Sequence, residues 1–347
     1  MPKKPTADYH SEKGVKPVSE LRRDIVSKDW VLLTPGRSYR PKLFILPKKS
    51  VMPSLPIEKC PFENPSKFGN LPPVLVYQNK KGNDWFLQVI PNKFPLVGPG
   101  SCDVVKKVGP YQTQDGTGNH EVIILRDHYR HISDYSKEDF RTLLLAYQDR
   151  FNSSAVLKCI DYISIFHNYG KEAGASIPHP HSQVLSLPIV PPDVYSSITG
   201  SRDYFHNNGR CIHCDMLKYE LKDGERIIFE NKSAVVITPF VSRSNFEVRV
   251  FPKRHEAFFE QVNEKELLDI AEAMLQALSR IRKNLNDPSF NYFLHTAPVI
   301  EKLDYGHYHW HFEIFPKMEV YGGFELGTGI DIITVPPEEA ARILRKT

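Results

Sequence analysis

The spacing of apolar residues predicts two long amphipathic helices. The first is expected to follow Ser136, a typical N-cap residue, and to bury Phe140, Leu143, Leu144, Tyr147 and Phe151. The second is expected to follow Asn263, which with Glu266 forms a helix-start signal, and to bury Leu267, Ile270, Ala271, Met274, Leu278 and Ile281.

Alternating apolar runs surround each predicted helix in the same order. "NHEVIILRDH" (119–128) and "NFEVRVFPKRH" (245–255) both read Asn-x-Glu-Val, then alternating apolar residues, then a histidine. After each helix come a β-rich stretch and a His-x-His strand: "DYISIFHNYG" and "HPHSQVLSL", then "NYFLHTAP" and "HWHFEIF". A cysteine turn, "CPFE" or "CIHC", precedes each set. This repeated order predicts an α+β fold built from two duplicated halves.

A proline- and polar-rich stretch, "PIVPPDVYSSITGSRDYFHNNGR", separates the halves and is interpreted as a linker. The predicted N-terminal domain covers 20–190 and the C-terminal domain 191–347, which suits a chain of 347 residues. Residues 1–19 are polar and basic with no apolar stretch behind them. They are predicted to form a disordered lead rather than a secretory signal.

Composition limits the classes of partner. Apolar residues make up 41% of the chain, charged residues 25%, and the net charge is +4. That near balance argues against nucleic acid, which requires a clustered basic face. The absence of a run of eighteen apolar residues argues against a membrane span. Five cysteines are few for a chain of this length, and an odd number cannot all pair, so a disulfide framework is not expected. A reducing cytoplasm is therefore predicted.

The second half carries a complete set of candidate zinc ligands. Cys211 and Cys214 have the two-residue gap that lets both thiolates reach one ion, and the repeat nominates His255 and His309. Thiolate and imidazole together favour zinc over magnesium or calcium. The alternative is a pair of free thiols beside two unrelated histidines.

The first half carries a less regular set. Cys60, His128 and His179 occupy the matching positions, but Glu63 stands where a second cysteine would be. A carboxylate can ligate zinc, so a weaker Cys-Glu-His-His site is predicted, or an empty one. Cys60 could instead be a buried apolar residue, and His131 competes with His128.

The chemical centre is predicted around the first His-x-His strand. In an extended strand, His179, His181 and Gln183 share one face. Pro180 cannot donate a ladder hydrogen bond, so the strand is expected at a sheet edge or with a local irregularity.

The loop before this strand, "NYGKEAGAS", predicts a phosphate cradle because glycines at 170 and 174 permit tight turns with exposed N–H groups. A histidine beside such a cradle can attack phosphorus as a nucleophile, the role predicted for His181. Gln183 can donate to a phosphate oxygen. The alternatives are that His181 is a satisfied surface histidine or a metal ligand.

These residues resemble a known family. "PHPHSQ" preceded by N-x-G-x-x-x-GAS is similar to the active-site signature of the galactose-1-phosphate uridylyltransferase family, a branch of the histidine-triad superfamily. "LRRDIVSKDWVLLTPGRSYRP", "VIPNKFP", "HWHFEIFP" and "GGFELGTG" resemble further segments of that family in consistent order. The resemblance covers nearly all of the chain after residue 19.

The resemblance implies two histidine-triad-like halves, each an antiparallel sheet with packed helices. It implies that His181 takes the nucleoside monophosphate, that Gln183 bonds the transferred phosphoryl group, and that His179 ligates zinc with Cys60 and His128. The residues implied to line the phosphates are Asn168, Gly174, Ala175 and Ser176, and those near the nucleoside are Asn92 and Lys93.

Two further groups are assigned by the resemblance alone. Arg37 and Arg40 would place charge near the nucleotide, unless they are solvated surface arginines. The hexose would meet the segment containing Gly322, Gly323, Phe324 and Glu325. In the second half Glu313 replaces the glutamine and no glycine-rich cradle is present, so His311 is either an additional metal ligand or a relic of duplication.

The implied reaction is a two-step transfer between a nucleotide sugar and a sugar 1-phosphate, or phosphate. The favoured hypothesis is UMP transfer from UDP-glucose to galactose 1-phosphate, an activity of galactose metabolism, which the His-Pro-His form supports; AMP transfer to phosphate is the close alternative. "GGFELGTG" and the CxxC favour a branch that phosphorolyses ADP-glucose. A dinucleotide-cleaving hydrolase and a non-catalytic zinc-stabilised nucleotide-binding protein are the other hypotheses. A homodimer is expected from the family.

Overall fold

The computed structural model describes residues 18–36, 55–102, 105–300 and 305–346. The strands of this described part, in chain order, are β1 (Glu20–Arg23), β2 (Trp30–Leu33), β3 (Leu75–Gln78), β4 (Trp85–Pro91), β5 (Lys106–Val108), β6 (Tyr111–Thr113), β7 (His120–Leu125), β8 (Tyr162–Tyr169), β9 (His181–Leu187), β10 (Ile227–Glu230), β11 (Ala234–Ile237), β12 (Val248–Pro252), β13 (Phe290–His295), β14 (His311–Pro316) and β15 (Asp331–Ile333). The helices are α1 (Lys137–Ala155), α2 (Pro192–Asn208), α3 (Ile212–Asp223), α4 (Glu264–Asn284), α5 (Gly323–Thr328) and α6 (Pro337–Leu344).

Ten of these strands form one antiparallel sheet in the order β10-β11-β12-β14-β13-β8-β9-β7-β4-β3. Counted outwards from the β8–β13 junction, the two directions give the same series: central strand, His-x-His strand, Asn-x-Glu-Val strand, then a hairpin partner and an edge. Phe166 lies opposite Phe293 at the junction. Gln183 then lies opposite Phe166, and Glu313 lies opposite Phe293. The predicted duplication and α+β class are therefore confirmed, with both halves contributing to one sheet.

The core lies between one sheet face and the paired helices α1 and α4. Ser136 Oγ accepts from the Asp139 N–H at 3.1 Å and begins α1. Asn263 Oδ1 accepts from the N–H groups of Lys265 and Glu266, each at 3.1 Å, and begins α4. Every apolar position predicted for the two helices is buried, and one apolar cluster joins them to strands of both halves. The helix predictions are confirmed.

The other sheet face is partly covered over the second half. β1 and β2 pair antiparallel, β15 pairs with β2 in parallel, and Val31, Leu33 and Ile333 bury apolar surface of this small sheet against Val241. Over the first half the corresponding face is open as a cavity. The added sheet therefore distinguishes two surfaces that the duplication would otherwise make alike.

The stretch interpreted as a linker is largely helical, which corrects that prediction. α2 begins after Pro191 with Pro192 at its first position, where the missing N–H of proline costs nothing. Its side chains Val194 and Ile198 pack with Tyr162 and Tyr308. The proline pair that suggested a linker is a helix-start signal.

Two other expectations require correction. Of the two alternatives for the strand after Pro180, the sheet edge is wrong, since β9 lies inside the sheet between β8 and β7; Pro180 is tolerated because it immediately precedes the first residue of the strand. Cys102 and Cys159 are joined by a disulfide, although no disulfide was expected from the sparse cysteines. Residues 1–17 of the predicted lead lie outside the described residues. Within the described residues, no helix has both the length and the apolar character needed to cross a membrane.

Replacing Ile281 by alanine should lower the free energy of unfolding by about 2–5 kcal/mol, because this α4 side chain is fully buried in the shared core. Denaturant titration followed by circular dichroism would measure the change. Lys283→Ala, on the exposed side of the same helix, should change the stability by less than about 0.5 kcal/mol. Equal losses for the two variants would contradict this account of the core.

Candidate active site and metal-binding groups

The predicted nucleophile lies on the sheet face opposite α1 and α4. His181 is the first residue of β9 and is buried. Its Nδ1 lies 2.8 Å from the carbonyl oxygen of His179. A carbonyl can only accept, so Nδ1 carries the proton and Nε2 of the neutral ring holds a lone pair. Burial lowers the pKa of His181, which favours that neutral form.

A cavity of about 350 Å³ opens in front of this ring. Its lining includes five residues singled out in the sequence: Asn92, Lys93, Ser176, His181 and Gln183. Phe62 contacts the His181 ring edge-on with 4.9 Å between ring centroids. Phe68 and Phe94 add aromatic surface to the lining. The cavity therefore combines an apolar wall with polar groups concentrated beside His181, as expected for a small-molecule site.

The glycine-rich loop has the predicted backbone conformation. Gly170 and Gly174 adopt φ values of +85° and +81°, which favour glycine. The Gly174 N–H donates to the Lys171 carbonyl and the Ala175 N–H to the Gly170 carbonyl, so these two amides hold the loop itself. Ser176 reaches the cavity beside His181, whereas Asn168 lines the neighbouring cavity across β8 and β13.

The segment predicted to meet the hexose forms the start of a short helix. Gly322 precedes α5, and Gly323, Phe324 and Glu325 form its first turn. Glu325 Oε2 accepts from the Gly322 N–H at 3.0 Å. These four residues are absent from the lining of the cavity beside His181. Arg37 and Arg40 lie outside the described residues.

Four candidate ligands of the second half meet at the start of α3. The ligand atoms of Cys211, Cys214, His255 and His309 all lie within 4.8 Å of one another. Cys214 Sγ is 3.4 Å from His255 Nδ1 and 3.6 Å from His309 Nδ1. Hydrogen bonding from the Cys214 thiol lowers the pKa of Cys211, which favours its thiolate.

The first half brings Cys60, His128 and His179 together in the same way. The Nδ1 atoms of the two histidines are only 3.0 Å apart, and Cys60 Sγ is 3.6 Å from His179 Nδ1. Burial lowers the pKa of His179 to about 4. His131 is not part of this group, since its ring accepts from the Ser133 N–H and lies near Asp287.

The protonation pattern of these histidines fits a bound cation. His128 Nε2 lies 2.8 Å from the Leu55 carbonyl oxygen and His179 Nε2 lies 2.5 Å from that of Leu125, so each Nε2 must carry the proton. Both Nδ1 lone pairs then face each other, an arrangement that a cation between them would stabilise. In the second half, His255 and His309 donate to the carbonyls of Gly306 and Pro252.

Glu63 points one carboxylate oxygen at the first group. Its Oε2 lies 3.6 Å from His128 Nδ1 and 3.8 Å from His179 Nδ1. Among the described residues, this buried oxygen has no hydrogen-bond partner. The other oxygen, Oε1, accepts from Arg126 Nη1, and Arg126 Nε donates to Asp84 at 2.9 Å. Arg126 thus orients Glu63 with one oxygen directed towards the two histidines.

The second half keeps the backbone contact within the His-x-His segment but surrounds its second histidine with charged side chains. His311 Nδ1 lies 3.1 Å from the His309 carbonyl oxygen, matching the His181–His179 contact. Its Nε2, however, is 3.3 Å from Glu313 Oε1. Arg249 and Arg243 pair with the two oxygens of Glu313 at 3.2 Å and 2.7 Å. His311 therefore faces an ionic cluster and is not one of the four grouped cysteine and histidine ligands, although with His295 and Glu313 it forms a third set of potential ligand atoms within 4.8 Å of one another.

Two side chains that touch the predicted site are not among the residues predicted from the sequence. Phe62, inside the cysteine turn, packs against both His179 and His181. His120 lies 2.8 Å from Gln183. The sheet register shows what replaces His120 in the second half: Val122 lies opposite Gln183 where Arg249 lies opposite Glu313, so Glu247 takes the position of His120.

Comparison with known families gives matches across most of the chain. The profile "Galactose-1-phosphate uridyl transferase, N-terminal domain" matches residues 78–191, and the corresponding C-terminal profile matches residues 198–333. An ADP-glucose phosphorylase of Arabidopsis thaliana is 34% identical, over 94% of this chain and 92% of that protein. A galactose-1-phosphate uridylyltransferase of Thermotoga maritima is 28% identical, over 94% and 98%.

Solved structures give the same result. The crystal structure of an ADP-glucose phosphorylase from Arabidopsis thaliana with bound ADP-glucose superposes with a TM-score of 0.81 at 32% identity, covering 95% of this chain and 99% of that one. A uridylyltransferase structure superposes with a TM-score of 0.70 at 25% identity, covering 94% and 98%.

Proposed function

Because the chain belongs to the galactose-1-phosphate uridylyltransferase family of nucleotidyltransferases, we propose that it transfers a nucleoside monophosphate from a nucleotide sugar through a covalent nucleotidyl-histidine. The observation that carries this proposal is the His181 ring, with Nδ1 held by the His179 carbonyl and Nε2 left for attack beside the cavity. A nucleophile fixed in one tautomer needs no rearrangement before it attacks.

In the first step, the lone pair on His181 Nε2 forms a bond to the α-phosphorus of the nucleotide sugar. The bond from that phosphorus to the bridging oxygen breaks, and sugar 1-phosphate leaves with the electron pair. In the second step, a phosphate oxygen of the acceptor attacks the same phosphorus, the phosphorus–nitrogen bond breaks, and the lone pair returns to His181. Gln183, Ser176 and Lys93 lie beside the cavity and supply donors for the phosphate oxygens.

For the substrate, we favour ADP-glucose as donor and inorganic phosphate as acceptor, with glucose 1-phosphate and ADP as products. The support is the 34% identity to an ADP-glucose phosphorylase across nearly the whole chain, against 28% to a uridylyltransferase of similar coverage. UMP transfer from UDP-glucose to galactose 1-phosphate is the second candidate, and the His-Pro-His sequence at 179–181 favours it.

We also propose that both cysteine–histidine groups bind zinc. Thiolate and imidazole ligands suit this ion, and the facing Nδ1 atoms support a cation at each place. Cys211, Cys214, His255 and His309 would hold one ion, and Cys60, Glu63, His128 and His179 the other. In the first half, zinc would fix the position of His179, whose carbonyl orients His181. A cytoplasmic homodimer remains a further proposal from the family alone.

Incubation with ADP-glucose, without acceptor, should increase the intact mass of the protein by one AMP unit, because the nucleotidyl-histidine accumulates when no phosphate is present. Intact-mass spectrometry of protein prepared without acid measures this adduct. His181→Asn should abolish it, and added phosphate should discharge it as ADP. An adduct of one UMP unit that forms with UDP-glucose but not with ADP-glucose would select the second candidate, UMP transfer.

The matched control is His311→Asn, which changes the corresponding histidine of the second half. This variant should form the adduct as the wild type does, provided that its melting temperature shows it to be folded. If neither sugar nucleotide labels the wild-type protein, the covalent mechanism is wrong. Steady release of nucleotide by water alone would instead indicate a hydrolase.

Cys214→Ser should lower the zinc content by about one ion per chain, because the C-terminal group loses one of its two thiolates. Inductively coupled plasma mass spectrometry of dialysed protein measures the zinc. His206→Ala, an exposed histidine on α2 in the same half, should leave the zinc content unchanged. A Cys214→Ser protein with the full zinc content would rule out this site.

Glu63→Gln should weaken zinc binding at the N-terminal group by about tenfold or more, since an amide oxygen carries no charge to offset that of the ion. Competition with a chromogenic chelator measures the affinity and separates this site from the tighter C-terminal one. Glu58→Gln changes an exposed carboxylate in the same segment and should have no effect. Unchanged affinity in Glu63→Gln would exclude Glu63 as a ligand.

A further inference from the structure

His120 connects the backbone of one cavity wall with the side chain of Gln183. The ring is buried at the start of β7. The backbone N–H of Leu96 donates to His120 Nδ1 at 3.1 Å, and His120 Nε2 lies 2.8 Å from Gln183 Oε1. Burial lowers the pKa of His120, so the ring is neutral and carries a single proton.

The location of that proton follows from the Leu96 contact. A backbone N–H can only donate, so Nδ1 must accept and the proton must reside on Nε2. Nε2–H then requires an acceptor, and the Gln183 oxygen is the acceptor within reach. The Leu96 N–H can only donate, and it is linked to the Gln183 amide by two successive hydrogen bonds through the His120 ring. It therefore fixes which end of that amide is the oxygen and which the nitrogen.

This orientation determines what Gln183 presents to the cavity. With Oε1 held by His120, the Nε2H₂ end of the amide is the part available to a ligand beside His181. An anionic phosphoryl group needs a donor at that place, and a reversed amide would present an oxygen and repel it. His120 can thus act on the phosphoryl group without contacting it.

The same ring holds the segment that precedes it in the cavity wall. The Asn92 N–H donates to the His120 carbonyl oxygen at 2.8 Å, and Asn92 Nδ2 lies 3.4 Å from His120 Nδ1, the ring nitrogen that accepts. Asn92 Oδ1 accepts from the Phe94 N–H at 2.9 Å. The turn at 92–96 is thereby fixed against the ring that orients Gln183.

The duplicated half supplies an internal comparison. The sheet pairings set the correspondence between the halves: Val122 lies opposite Gln183 where Arg249 lies opposite Glu313, so Glu247 matches His120. Glu247 thus replaces His120 in the half where Glu313 replaces Gln183, and Arg249 pairs with both of these carboxylates. The histidine and the glutamine occur together beside the cavity of the first half, and carboxylates take both positions in the second half.

We propose that His120 is a positioning residue that fixes the Gln183 amide with its donor end towards the transferred phosphoryl group. This inference rests on the proposed nucleotidyl transfer for its kinetic consequences, but the hydrogen bond itself can be tested without any reaction.

Two substitutions separate the hydrogen bond from the volume of the ring. His120→Phe keeps an aromatic ring and removes the donor, while His120→Gln keeps a donor at similar reach. His120→Phe should lower kcat for nucleotidyl transfer by about 10- to 100-fold with little change in KM, because the phosphoryl contact matters most in the transition state. His120→Gln should recover most of that loss.

A double-substitution cycle with Gln183→Ala excludes a merely structural role. Once the glutamine amide is gone, His120→Phe should reduce kcat by less than about threefold, because there is no amide left to orient. A residue that only supports the fold would reduce kcat equally in both backgrounds. Equal losses in both backgrounds, or a His120→Phe enzyme as fast as the wild type, would overturn the inference.

Nuclear magnetic resonance gives the test that is independent of catalysis. In protein labelled with ¹⁵N-histidine, the ring signals absent from His120→Phe are those of His120, and they should show the Nε2–H tautomer at neutral pH. An Nδ1–H tautomer would overturn the inference whatever the enzyme does. If the wild type forms no adduct with either sugar nucleotide, the proposed function fails, and the tautomer alone then decides whether His120 orients Gln183.

Discussion

The hydrogen bond from His181 Nδ1 to the carbonyl oxygen of His179 is the contact on which the proposed chemistry depends. It leaves the lone pair of the ring on Nε2, beside the cavity. The carbonyl belongs to a residue whose own ring faces His128 and Cys60, so the backbone that orients the nucleophile is held by the candidate metal group. A shift of this group would move the acceptor of the His181 proton, which couples metal binding to the geometry of attack.

The duplication shows how one backbone arrangement supports two different environments. His181 and His311 make the same contact to the residue two positions earlier. Around His181 the neighbours are a neutral amide and an open cavity. Around His311 they are Glu313 and two arginines beneath the sheet formed by β1, β2 and β15. A buried carboxylate paired with guanidinium groups balances their charge, so the cluster offers no free positive charge to attract an anionic substrate. The asymmetry lies in the side chains and the covering strands.

The predictions that held were those with a periodic or repeated basis. Apolar residues recur every three to four positions in α1 and α4, so the buried faces of both helices could be predicted from the sequence. Ser136 and Asn263 mark where the helices start. Two of the errors arose from prolines. The pair at 191–192 opens a helix instead of a linker, and Pro180 precedes an internal strand instead of marking an edge. Proline removes a donor in all these settings, so its presence alone does not distinguish among them.

The sequence by itself determined the duplicated α+β halves, the two cysteine–histidine groups and the proposed nucleophile, because each leaves a pattern of residue types at fixed spacing. Only the tertiary structure decided that Glu63 points at two histidines while Arg126 holds its other oxygen, and that His120 faces Gln183. It also showed that the segment at 322–325 begins α5 and is not part of the lining of the cavity beside His181. These contacts join residues about sixty or more positions apart, and their distances follow from how β7, β9 and the cysteine turn pack, which local spacing does not encode.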